Sequence, residues 1–81
     1  MYKVYATIGH WQLIDKTNEE QDVIDTIGEY IHEDPNLRFL VVENINGTDN
    51  YYKSINKFND YVNYVEQFNS NQNVKKKSLK K

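Results

Sequence analysis

Residues 37–47 read Leu-Arg-Phe-Leu-Val-Val-Glu-Asn-Ile-Asn-Gly, and this stretch decides the fold. The unbroken apolar run Phe39-Leu40-Val41-Val42 predicts a strand near the centre of a sheet, covered on at least part of both faces. Asn46-Gly47 directly after it is the strongest hairpin signal in the chain, because both residues tolerate positive φ. A partner strand is expected at about Asn50–Ile55 (Asn-Tyr-Tyr-Lys-Ser-Ile).

Reading outward, the N-terminal residues Tyr2–Ile8 are rich in β-formers and alternate in side-chain character. Tyr2, Val4, Ala6 and Ile8 share one face of such a strand, and Lys3, Tyr5 and Thr7 the other. Gly9-His10 reads as a turn or a bulge. Residues Trp11–Asp15 therefore form either a second short strand or the continuation of one bent strand. Thr17-Asn18-Glu19-Glu20 fits a capping box, Thr17 accepting from an early helix amide and Glu20 returning the bond. A helix from about Asn18 to Glu33 follows, with Val23, Ile24, Ile27, Tyr30 and Ile31 at helical spacing. Pro35 ends it by pushing the preceding residue out of the α region. Gly28 inside the helix costs about 1 kcal/mol relative to alanine, and close packing against the sheet would account for it.

After the second hairpin, Ser54 or Asn56 can cap a second helix that carries Phe58, Tyr61, Val62, Val65 and Phe68 on one face to about Asn69. The expectation is an α+β fold in the order β(β)αββα: an antiparallel sheet of three to four strands with both helices packed on one face. Residues 1–69 form a single domain in this reading, and residues 70–81 a disordered basic tail. Two ββα halves are visible, residues 2–33 and 37–69. An offset of 35 places Val23 on Phe58 and Ile27 on Val62.

The formal net charge of −2 averages two unlike parts. Residues 1–74 carry all 12 acids against five bases, a net −7, while Lys75, Lys76, Lys77, Lys80 and Lys81 bring +5 to the last seven residues. Asn occurs eleven times, Lys outnumbers Arg nine to one, and Ala occurs once, a composition associated with A+T-rich genomes such as those of low-G+C bacteria, their phages and plasmids. The absence of cysteine excludes disulfides, thiolate metal sites and a cysteine nucleophile. No apolar run approaches the ~20 residues of a membrane span, and no signal-peptide stretch follows Met1. The expectation is a protein of the bacterial host cytoplasm that contacts no membrane.

Catalytic motifs are lacking: there is no P-loop, nucleophile elbow, zincin helix or dinucleotide fingerprint. His10 and His32 are the only side chains with an ordinary pKa near neutrality. His10 reads as a turn residue, with a general base in a compact nuclease as its sharper alternative. His32 reads as a helix C-terminal residue that complements the dipole. A metal site from His32, Glu33 and Asp34 fails because consecutive helix positions point in different directions. No catalytic, metal or cofactor site is expected.

Binding surfaces are more promising. Glu19, Asp22, Asp25, Glu29 and Glu33 trace a stripe opposite the apolar side of the first helix. Like charges at that spacing weaken a helix by a few tenths of a kcal/mol each, and only those in the first turn are offset by the dipole. Either this is a solvated face that aids solubility, or it is built to meet a basic partner. The spacing of about 5–6 Å between neighbouring carboxylates roughly echoes phosphates along a nucleic acid. Seven tyrosines and Trp11 are the second excess. Tyr5, Trp11 and one of the adjacent pair Tyr51 and Tyr52 can form an aromatic patch on the helix-free sheet face.

In size, composition and acidity the chain loosely resembles small phage anti-defence proteins of the DNA-mimic type, although no motif is shared. The first expectation is a non-enzymatic inhibitor or accessory factor of a phage or mobile element. Its partner would be a basic, nucleic-acid-handling host protein such as a nuclease, met by the acidic helix and by Tyr5, Trp11, Tyr51 and Tyr52. The alternative is a small nucleic-acid-binding protein using the sheet aromatics and the lysine tail, although a body at −7 repels phosphates. A homodimer is a further possibility, because Tyr2–Ile8 and Asn50–Ile55, read as edge strands, carry few charges.

Overall fold

The computed structural model describes the backbone of residues 1–80 and the side chains of residues 1–71. Its elements are β1 (Tyr2–Ile8), β2 (His10–Thr17), α1 (Glu20–Glu33), β3 (Phe39–Ile45), β4 (Thr48–Ile55) and α2 (Phe58–Lys80). The four strands form one antiparallel sheet in the order β2-β1-β3-β4. This is the expected α+β architecture with the second strand present. Gly9, at φ +77°, makes the turn that separates β1 from β2, so the N-terminal segment is a hairpin and not one bent strand. Asn46 and Gly47 both have positive φ, 53° and 84°, the signature of the tight turn their sequence announces.

The strand order corrects one expectation. β1 pairs on both sides, with β2 and with β3, so Tyr2–Ile8 is central, and the edges are β2 and β4. The two halves are also better aligned than the sequence shows. β1 and β3 correspond at an offset of 37, and β2 and β4 at 38, where 35 was expected. Each half carries a bulge at the matching place, between Val4 and Tyr5 and between Val41 and Val42. The extra residues are Ile14 in β2 and Tyr52 in β4.

Both helices cover the face that carries Val4, Ala6, Phe39, Val41 and Ile55. Val23, Ile24, Ile27 and Ile31 descend on it from α1, and Tyr64 from α2, all of them buried. Full burial of a Val, Ile or Phe side chain is worth about 1.5–3 kcal/mol, so this single layer holds the fold. Gly28 does allow a close approach, but the neighbour is a helix: a Cβ there would stand 2.5 Å from the Tyr61 hydroxyl of α2. The room that glycine leaves is filled by the second helix and not by the sheet.

The helix starts differ from the capping reading. β2 runs on to Thr17, and α1 begins at Glu20 with Glu19 in the N-cap position and no side-chain cap bond. Thr17 Oγ1 accepts from the Glu19 amide at 3.1 Å and donates to Asp22 at 2.8 Å. Glu20 turns away to the tyrosines described below. At α2 the bond runs the other way from a side-chain cap: the Asn56 amide donates to Asp60 at 2.9 Å. α2 continues past the expected end at Asn69 to Lys80, through a sequence free of Gly and Pro.

Candidate functional site

Two exposed surfaces lie on opposite sides of the sheet. The first is the outer side of α1. Glu19, Asp22, Asp25, Glu29 and Glu33 are all exposed. At about 100° per residue, Asp22, Asp25, Glu29 and Glu33 fall within roughly 80° of arc, directly opposite the buried Val23, Ile24, Ile27 and Ile31. The stripe therefore points straight away from the sheet. Asp22 accepts from Thr17, and Asp25 accepts from Gln21 at 3.0 Å. Among the described residues the one ion pair is Lys3 with Asp49, and none of them sets a cation within ion-pair distance of these five carboxylates.

The second surface is the helix-free face of the sheet. The registers place Lys16, Lys3, Val42 and Tyr51 in one row across the four strands, and Leu13, Tyr5, Leu40 and Ser54 in the next. Trp11 and Thr7 pair in a third. Trp11 is 50% exposed, Leu13 48% and Tyr51 70%. Tyr5, Leu40 and Val42, on the central strands, are partly covered by their neighbours. The aromatic patch thus joins Tyr5, Trp11 and Tyr51, as the alternation suggests. Tyr52, the bulge residue, is on the other side, against the helices. Because α1 covers the opposite face, the acidic stripe and the aromatic patch do not merge into one contact surface.

The two bulges also sort the charges. Strict alternation from Trp11 would place Asp15 on the open face and Lys16 behind it. The extra residue Ile14 reverses this: Asp15 turns to the helix side and accepts from Thr26 Oγ1 at 2.9 Å, and Lys16 stands on the open face beside Lys3. Arg38 continues the alternation of β3 one residue beyond its start, next to Thr7, whose Oγ1 accepts from its amide at 2.9 Å. The acid on this face is Asp49, paired with Lys3 at 3.3 Å and bonded by the Asn44 amide at 2.6 Å. That amide bond, with a smaller contribution from Lys3, holds the Asp49 carboxyl below its usual range. The open face is thus basic and aromatic, and the outer face of α1 acidic. Sequence reasoning placed Lys3 with Tyr5 and Thr7 on one face of the first strand but missed Lys16, Leu13, Leu40 and Val42 here, since only the register shows which residues of different strands share a face.

Between the layers, Glu20 organises a cluster of phenols. Its Oε2 accepts from Tyr52 at 2.6 Å and from Tyr64 at 2.7 Å, which ties the start of α1 to β4 and α2. Tyr2 stacks obliquely on Tyr52 with ring centroids 5.4 Å apart. Lys53 caps the Tyr64 ring at 5.3 Å and donates to Gln67 at 3.0 Å. Burial, then the bond to the Glu20 carboxylate, pushes the Tyr64 and Tyr52 phenols well above their ordinary pKa. Tyr2 is raised too, by burial first and then by the charges of Glu20 and Glu43. The cluster positions α1 and leaves its acidic side free.

His10 is exposed at the first turn, paired with Ile8 across Gly9. His32 Nδ1 lies 2.6 Å from the Gly28 carbonyl oxygen, and its ring meets Phe58 edge-on at 6.0 Å. Among the described residues no three His, Asp or Glu side chains converge as metal ligands, and no helix is long and apolar enough to cross a membrane. The side chains of Lys75, Lys76, Lys77, Lys80 and Lys81, which carry the nucleic-acid alternative, lie outside the described residues. The chain matches no family model, no curated protein and no solved structure.

Proposed function

We propose that the chain is a small non-enzymatic binding protein, an inhibitor or accessory factor of a phage or mobile element, whose working surface is the outer side of α1. One observation carries this reading. Four exposed carboxylates, Asp22, Asp25, Glu29 and Glu33, line the side of α1 opposite its buried residues, with Glu19 exposed just before the first turn, and no cation is paired to the five among the described residues. Such a row repels itself, and a basic partner relieves that repulsion. The partner is a host protein with a basic surface made for nucleic acid, such as a nuclease, and the chain occupies that surface as a DNA mimic. The aromatic patch takes no part in this contact, since it faces the other way.

Affinity capture from a bacterial lysate, followed by mass spectrometry, compares the native chain with D22K/D25K/E29K. All three positions are exposed, so the triple variant is expected to fold. The native chain is expected to retain nucleic-acid-binding proteins that elute with salt, and the variant to lose them. Capture of the same proteins by both chains would contradict the reading.

A further inference from the structure

We infer that the helix-free face of the sheet is a binding platform for single-stranded nucleic acid, with Tyr5, Trp11 and Tyr51 as stacking surfaces and Lys3, Lys16 and Arg38 as phosphate contacts. This site is separate from the acidic side of α1 and stands or falls without it.

The geometry is the first support. Tyr51 is on the edge strand β4 in one row, Tyr5 on the central strand β1 in the next, and Trp11 on the other edge strand β2 in the third. From strand spacing and rise, the three rings descend a diagonal with steps of about 12 and about 8 Å. A single strand laid along such a diagonal offers each ring an unpaired base, whereas a duplex keeps its bases stacked within itself. Stacking suits any base, so the platform discriminates little by sequence.

Charge supplies the second support and names the occupant. The chain is acidic as a whole, yet this face carries Lys3, Lys16 and Arg38 against Asp49 alone. Lys3 and Lys16 are direct cross-strand partners, an arrangement that costs stability in the free protein. An anion relieves it. A second copy fits less well, because an isologous pairing through this face would bring a second set of the same three cations into the interface with only a second Asp49 against them. A purely apolar partner leaves the same charges uncompensated.

The site is tested with the full chain and a single-stranded oligonucleotide of about 12 deoxythymidines at low salt. Trp11 is the sole tryptophan, so its fluorescence reports the platform directly. Saturable quenching of Trp11 is expected, with affinity falling as salt rises. Tyr51→Ala should weaken binding about five- to a hundredfold. Lys16→Glu should weaken it and flatten its salt dependence by about one phosphate contact. Both residues are exposed on an edge strand, so thermal midpoints near that of the native chain confirm folding. D22K/D25K/E29K should leave the quenching in place, which separates this site from the one on α1. Three results would overturn the inference. One is the absence of quenching at low salt. Another is binding that is unchanged by Y51A and K16E but lost when the five tail lysines become glutamine. The third is quenching that follows protein concentration without oligonucleotide, the mark of self-association through this face.

Discussion

Glu20→Ala is expected to lower the stability of the domain by about 2–4 kcal/mol. The carboxylate accepts from two phenols, and Tyr64 is only 3% exposed. Removing it leaves a buried hydroxyl with no partner, worth about 1–3 kcal/mol, and a second hydrogen bond to a charged group is lost at Tyr52. For a domain of this size, thermal unfolding should shift down by roughly 10–25 °C. Glu20→Gln keeps an acceptor oxygen and should cost less than half as much. If Glu20→Ala melts with the native chain, the cluster is a surface decoration and does not anchor α1.

The same cluster sets the response to alkali. The folded-state pKa of Tyr64 is raised by burial and then by Glu20, while in the unfolded chain it returns to about 10. A raised folded pKa favours the folded state while the phenol is neutral. That stability is intact below pH ~10 and is lost as pH climbs toward the folded value, at about 1.4 kcal/mol per pH unit for this one proton. Urea midpoints should therefore fall steeply above pH ~10, and Tyr64→Phe should flatten that fall by the contribution of one group.

Phe39→Ala is the second large effect. Phe39 is 1% exposed on β3, pairs with Ala6 and Ile55 on its two sides, and lies under both helices. Deleting its ring should cost about 3–5 kcal/mol through lost transfer energy and the cavity left behind. Total stability at this length is roughly 4–12 kcal/mol, so the variant should be substantially unfolded on mild heating. The neighbouring Leu40 points to the open face and is only partly covered. Leu40→Ala should cost about 1 kcal/mol. Equal losses at the two positions, measured by urea unfolding, would mean that something covers the open face in solution.

Much of this fold was legible in residue order. Phe39–Val42, Asn46-Gly47 and the stripe Val23, Ile24, Ile27 and Ile31 announce a central strand, a hairpin and a helix, because each signal is local. The strand order was not, since β1 and β4 look alike as Tyr-rich segments and only pairing makes β1 central. The capping box at Thr17 failed for a tertiary reason: two phenols from β4 and α2 compete for the Glu20 carboxylate and win. The acidic stripe could be read from spacing alone, as could Tyr5 and Trp11 of the patch. Of its basic surround only Lys3 could, through the alternation of β1. Two one-residue bulges, at Ile14 and Tyr52, decide whether Asp15, Lys16, Tyr52 and Lys53 face the helices or the open side, and nothing in the sequence marks them. A net body charge of −7 conceals a molecule with an acidic side and a basic one.

The most direct test of the proposed role is competition at the captured host protein. A short DNA duplex is titrated into the complex, and the fraction of chain still bound is measured at constant salt. A duplex is chosen because the sheet face is fitted to single strands. If the carboxylates of α1 occupy a nucleic-acid site, duplex and chain exclude each other, and the apparent affinity of the chain falls in proportion to duplex concentration. Simultaneous binding of both, with the affinity of the chain unchanged, would contradict the account.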